Sequence, residues 1–269
     1  LGLALSTRWT SLFAWGFLAL VFLALRHARR REPAPGPDAA QLAPLGREAS
    51  LAAIAFVILP GAVYLLSYLP WMAQAHPHGA AAWAQRVLDV VRTQREIWSY
   101  HANLRATHAY FSPWWTWPLL YRPTWYFWWS GQGTIRGIVA LGNPAIWWAA
   151  VPAAAWALAT GLRARDPRRT FAGAGFFLLY LPWGLSPRTL NFSHYLFEAI
   201  PYACLALGLA LDRAWDGSRR AFARGYMALT VALFCLFLPL LTALPVPAWL
   251  WAFRFPHAGG IWTWFPSWI

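Results

Sequence analysis

Gln94, His101 and His108 recur every seven residues within QREIWSYHANLRATHAYFSPWWTWPLLYRPTWY, the stretch from Gln94 to Tyr126. Two turns of α-helix take about 7.2 residues, so this spacing would set three polar side chains along one helix face. Ser112-Pro113 predicts the end of that helix, because proline disfavours helix in the residue before it. Beyond it Trp114, Trp115, Trp117, Tyr121, Trp125 and Tyr126 surround Arg122. Such a composition suits a membrane–water boundary, where an aromatic ring has one apolar and one wet end. Guanidinium and imidazole groups placed there can donate hydrogen bonds to a phosphate or a sugar. They do not make a metal site, since i and i+7 imidazoles lie about 10 Å apart along a helix and would need ligands from elsewhere.

The elements that must position these groups are membrane spans. Of 269 residues, 59% are hydrophobic and 12% charged, with 21 Trp, 17 Phe and 10 Tyr, a balance outside that of an ordinary soluble domain. The formal charge of +13 does not point to nucleic acid. The positive residues are all arginine, in small clusters between apolar runs with no continuous basic face. Cys204 and Cys235 fall inside apolar runs and read as small hydrophobes. The absence of lysine beside abundant Ala, Arg, Pro and Trp reads as a GC-rich coding bias and points to a bacterial source.

Six spans are expected, at about 9–25, 49–69 with a kink at Pro60, 144–162, 170–185, 195–211 and 226–244. A loop rich in Pro33, Pro35, Pro37 and Pro44 joins the first two. Thirteen arginines cluster at 26–47, 163–169 and 213–224, and short-loop positive charge stays cytoplasmic. The expected organisation is therefore 1–69, two spans with an Arg/Pro-rich cytoplasmic loop; 70–143, an extracytoplasmic loop; and 144–269, a four-helix membrane region with an outward C-terminus. Within the loop, residues 83–109 read as a helix lying along the membrane surface, with Val87, Val90, Val91, Ile97, Trp98 and Leu104 on its apolar side. An ordinary solvated connecting helix is the alternative. The chain starts at Leu1 without a charged leader, and its first span would run from outside to inside, so the sequence reads as a fragment preceded by an odd number of spans.

Several motifs carry a resemblance. Gln94 is followed by Tyr100-His101, Leu104, His108, Tyr110, Ser112 and Trp114-Trp115-x-Trp117-Pro118-Leu119, then by Arg122-Pro123-x-Trp125-Tyr126 and Leu141-Gly142-Asn143-Pro144-x-x-Trp147-Trp148. Arg8-Trp9-Thr10 stands near the start, and Arg188 precedes Asn191-Phe192-Ser193-His194-Tyr195. Together they resemble the protein O-mannosyltransferase family, specifically through 94–148 and more loosely around 186–202, where the family's Tyr before the His is replaced.

The resemblance implies an all-α polytopic membrane protein of the GT-C type that transfers mannose from polyprenyl-phosphate-mannose to Ser or Thr hydroxyls of proteins. Six spans with an outward end would be the last six of the family's eleven. The family's catalytic Asp-Glu pair lies in its first extracytoplasmic loop, outside these residues, and the long loop has no room for the β-trefoil insertion of eukaryotic members, which favours a bacterial type in the plasma membrane. Expected partners are the bilayer, the polyprenyl-phosphate sugar donor, and an acceptor polypeptide crossing the membrane with its secretion machinery; no nucleic acid and no cofactor is expected.

Sugar transfer from a lipid phosphate needs a base for the acceptor hydroxyl and cations or donors for the leaving phosphate. Asp89, Glu96 and Glu198 are the outer carboxylates, the first two better read as the solvated face of the surface helix. The substrate-binding candidates are Arg8, Gln94, His101, His108, Trp114, Trp117, Arg122, Arg188 and His194. Each arginine has an alternative as an interface anchor, each histidine as a structural residue, and most tryptophans as boundary residues. A related enzyme acting on a glycolipid, or a transporter or scaffold, are the competing classes. Charged residues gathered at span ends rather than mid-span weigh against transport.

Overall fold

The computed structural model describes residues 1–31, 45–75, 80–256 and 259–268; the expected proline-rich loop at Pro33, Pro35, Pro37 and Pro44 lies outside them. The chain divides into two compact units, Leu1–Asn103 and Leu104–Ile269. The sequence-expected loop 70–143 is thus shared between them.

The first unit is built from α1 (Gly2–Thr7), α2 (Ser11–Arg31), α3 (Leu45–Ala53), α4 (Leu59–Leu66), α5 (Leu69–Ala75) and α6 (Ala80–Asn103), with a π-helical turn at Ile54–Ile58. Gly46–Gln74 forms one 29-residue helical stretch of mean hydropathy 2.2, long enough to cross a membrane. Pro60 explains the widened turn before it. Proline has no N–H to give the carbonyl four residues back, and that oxygen, on Phe56, instead accepts from Trp15 Nε1 at 2.6 Å. The expected kink has become a tie between α2 and its neighbour.

Helix α6 buries Val90, and the half-buried Asp89 beside it pairs with Arg92 at 3.2 Å and accepts from Gln85. It stops well before Ser112. Asn103 Nδ2 turns back to the Ser99 carbonyl at 2.8 Å, and Leu104 begins the second unit by accepting from Thr189 Oγ1 at 2.8 Å. Residues 105–109 are all exposed, so a helix continued there would have no face to bury, and packing is what sustains most helices.

The second unit holds four longer helices, α7 (Pro144–Ala164), α8 (Pro167–Tyr180), α9 (Ile200–Trp215) and α10 (Arg220–Thr242). Their core is made of small residues, Ala153 and Ala157 of α7 against Ala172 of α8 and Ala206 of α9, which lets backbones approach closely as membrane bundles do. The motif at 141–148 is a helix start. Asn143 caps α7 by accepting from the Ala145 N–H at 3.0 Å, and its amide donates to the Thr230 carbonyl at 2.8 Å. A Cβ on Gly142 would lie 2.0 Å from the Trp147 indole nitrogen, so only glycine fits.

Three stretches are long and apolar enough to span a membrane among the described residues: Gly46–Gln74, α7 and α10. Three of the six expected spans are shorter: α8 with 14 residues, α9 with 16, and the apolar Ser11–His27 part of α2. The helical class holds, with one addition. Strands β1 (Thr124–Gly131), β2 (Thr134–Ala140) and β3 (Val246–Pro247) form an antiparallel sheet in that order. Gln132 and Gly133 make the β1–β2 turn with φ of 51° and 70°, the left-handed pair that a two-residue hairpin loop requires. A short α11 (Ala248–Ala252) follows β3.

Candidate functional site

Arg122 stands on a turn held from two sides. The 3-10 helix Trp114–Leu119 ends at Leu120, whose backbone is left-handed at φ 55° and ψ 35°, a conformation costing a residue with a side chain roughly 1–2 kcal/mol. The tail of the chain fixes it there. Trp268 Nε1 donates to the Leu120 carbonyl at 2.6 Å, Trp125 Nε1 donates to the Trp268 carbonyl at 2.6 Å, and the Ser267 hydroxyl donates to the Tyr121 carbonyl. From α7, Trp148 Nε1 donates to the Leu119 carbonyl at 3.1 Å. The guanidinium carried by this turn has its Nε buried without a hydrogen-bond partner, and among the described residues no carboxylate pairs with it.

Two residues on, the sheet opens into a bulge. Trp125 pairs with Val139 and Phe127 with Ile138, so Tyr126 has no partner across the ladder, and a bulge of this kind re-aims a side chain. The Tyr126 ring lies 5.8 Å from that of His194, whose Nδ1 is 3.4 Å from Thr124 Oγ1. His194 in turn stacks on Phe192 at 5.6 Å and meets Tyr195 edge-on at 4.8 Å.

The same two rings gather other candidates. His108 meets Phe192 at 5.2 Å, while Trp117 and the Arg188 guanidinium each lie 5.9 Å from the Tyr195 ring. Arg188 Nε also donates to the Leu190 carbonyl at 2.7 Å, shaping the loop that presents His194.

Beneath this aromatic group lie polar atoms with nothing to bond. Ser112 Oγ, Asn191 Oδ1 and Ser193 Oγ are buried without partners, in residues 0%, 7% and 1% exposed. Ser112 and Asn191 are neighbours, joined by the Ser112 N–H to the Asn191 carbonyl at 3.0 Å. Most buried polar groups in native proteins are paired, and each exception asks for a ligand, a water or strain as its reason. Sequence reasoning did not single out Ser112, Thr124, Asn191 or Ser193 as binding residues, although all fall inside the quoted motifs or beside them. The available signal was polar side chains within otherwise aromatic and apolar runs.

The candidates therefore fall into two groups. His108, Trp114, Trp117, Arg122, Arg188 and His194 belong to the second unit. Arg8, Gln94 and His101 belong to the first. His108 is not on the helix of Gln94 and His101, because α6 ends at Asn103. Gln94 is committed within its own unit: it accepts from the Tyr64 hydroxyl and donates to the Val90 carbonyl at 3.0 Å, while Tyr64 bonds Tyr68 at 3.1 Å and Trp9 at 3.0 Å. His101 rests against Tyr100 at 5.2 Å, and Arg8 forms the turn from α1 to α2. Trp117 is wholly buried among Tyr180, Trp183 and Tyr195, so its ring is core. Trp114 is half-buried against Tyr180 at 5.3 Å. Among the described residues no three His, Cys, Asp or Glu side chains converge.

A half-buried guanidinium, an imidazole and unmatched hydroxyl and amide oxygens in one unit can bind an anion beside a hydroxylated ligand. Residues 87–254 match the C-terminal four TMM region of protein-O-mannosyltransferase. Along its whole length the chain is 29% identical to a polyprenol-phosphate-mannose–protein mannosyltransferase of Mycolicibacterium smegmatis, 28% to one of Mycobacterium tuberculosis and 26% to one of Corynebacterium glutamicum. It spans 56% of the length of each of these relatives. A solved S. cerevisiae protein O-mannosyltransferase complex bound to the sugar donor is 24% identical, with a TM-score of 0.47 over 62% of this chain and 25% of that one. Because the family match covers well over half of its residues, the chain belongs to the protein O-mannosyltransferase family.

Proposed function

We propose that these residues form the substrate-binding part of an enzyme that moves mannose from polyprenyl-phosphate-mannose to Ser or Thr hydroxyls of proteins. The observation that carries the reading is Arg122, a guanidinium with a buried, unmatched Nε on a turn fixed by Trp268. A preorganised cation aimed where phosphate charge develops as the sugar leaves is the kind of group that lowers this barrier. His194 and the unmatched oxygens of Ser112, Asn191 and Ser193 supply hydrogen bonds to the sugar or acceptor. The general base would come from the Asp-Glu loop of the family, in the portion of the relatives' length that these residues do not span. The arginine distribution supports a bacterial plasma-membrane protein with this site on the extracytoplasmic side, meeting acceptors as secretion delivers them.

The test is transfer by the complete protein in proteoliposomes supplied with polyprenyl-phosphate-mannose and a Ser/Thr-rich peptide. Mannosylated peptide that disappears when the peptide hydroxyls are absent supports the reading. Product appearing only in a lipid fraction would replace it with a glycolipid-modifying enzyme.

A further inference from the structure

A cavity lies within the same unit, lined by none of the residues of that site. Of about 730 Å³, it opens at the end of the bundle where α7 and α9 finish and α10 begins. Its apolar walls include the half-buried Trp156 and the exposed Phe222, and the exposed Arg213, Ser218 and Arg219 rim it where α9 ends and α10 begins.

Three observations point to an anionic occupant. Neither Arg213 nor Arg219 has an ion pair among the described residues, and neither Asp212 in the last turn of α9 nor Asp216 just after it pairs with them. Helix α10 starts beside the mouth with no side-chain cap and no acidic residue in its first turn, leaving the positive end of a 23-residue helix dipole unanswered. Around the opening, residues 212–224 carry four arginines against two aspartates. Each of Arg169, Arg220 and Arg224 already lies over a tryptophan ring, at 5.5–5.6 Å, while the two at the mouth do not.

The position narrows the occupant further. Helices α7 and α10 are both long and apolar enough to span a membrane, so their arginine-bearing ends meet the bilayer at headgroup level, where basic pockets between helices suit acidic lipid headgroups. A dissolved anion would have no use for the indole and phenyl surfaces below the arginines; a phospholipid places its phosphate at the mouth and its acyl chain along them. We infer that this cavity binds an anionic phospholipid, its phosphate held by Arg213 and Arg219 and its glycerol end near Ser218. Such binding is independent of sugar transfer and needs neither donor nor acceptor.

The complete protein is purified in neutral detergent, and its retention of phosphatidylglycerol against phosphatidylcholine is read by native mass spectrometry. Phosphatidylglycerol retention is expected to weaken about 30-fold in the Arg213→Gln, Arg219→Gln double variant, since each arginine near an anionic surface contributes roughly fivefold. Ser218→Glu, on an exposed turn, keeps both arginines and is expected to weaken it at least about fivefold by adding a like charge to the phosphate. Arg165→Gln with Arg168→Gln, of equal charge change outside the cavity, should leave retention intact. An equal loss in that control pair would overturn the inference in favour of diffuse surface charge. Equal retention of phosphatidylcholine would overturn it as well, and displacement by glycerol 3-phosphate at matched concentration would make the cavity a soluble-anion site instead.

Discussion

The polar groups carried by the motifs stand differently in the two units. In the first, Gln94, Tyr64, Tyr68 and Trp9 bond to one another. In the second, Arg122 Nε, Ser112 Oγ, Asn191 Oδ1 and Ser193 Oγ are buried with no partner. Both lie in stretches that look equally rich in polar and aromatic residues, yet a satisfied network holds a fold together, whereas buried unmatched atoms cost free energy until something binds them. The seven-residue row of Gln94, His101 and His108 is thus split between the units, and the unmatched atoms lie where no periodicity announces them.

The contrast breaks or sharpens under substitution of the complete protein. The largest effect is expected at Arg122: Arg122→Ala should lower mannosyl transfer about 100-fold or more, the scale of losing one charge-stabilising group, with normal folded yield and partial recovery in Arg122→Lys. Transfer within about twofold of wild type, a change of under 0.5 kcal/mol, would remove it from the site.

Ser193→Ala comes next. It deletes an unmatched buried hydroxyl, so thermal stability should hold or rise, while transfer falls about tenfold if the hydroxyl bonds substrate. A loss of stability with unchanged transfer would class Ser193 with the first unit's network. The reverse signature is expected at Tyr64→Phe: it strands the Trp9 N–H and the Gln94 oxygen, lowering stability by about 1–3 kcal/mol, with transfer per folded molecule little changed. His101→Ala should matter least, shifting stability and transfer by no more than about 0.5 kcal/mol each. A large loss of transfer there would show that the α6 face borders the catalytic space after all.

The sequence makes the helical membrane class legible because apolar runs are long and arginine marks their ends. It hides the hairpin. Strand β1 is exposed from Tyr126 to Ser130, so its residues lack the period-two burial that reveals strands, and Trp125 and Tyr126 read as boundary aromatics. The surviving signal was Gln132-Gly133 between two β-forming runs. The end of α6 was misplaced at Ser112 because proline is a visible stop, whereas the bond from Thr189 to Leu104 that redirects the chain joins residues 85 apart. The unmatched oxygens were beyond reach for the same reason: pairing is a property of neighbours in space.

The staple on Leu120 adds a temporal dimension. Trp268 lies 148 residues after the carbonyl it holds, and at synthesis rates of 5–20 residues per second the Arg122 turn waits roughly 7–30 s for its last partner. During that interval the helices from α7 to α10 must enter the membrane. The Arg122 turn is therefore stapled only after α7 to α10 have been made, and a nascent molecule has its bundle threaded before that turn is settled.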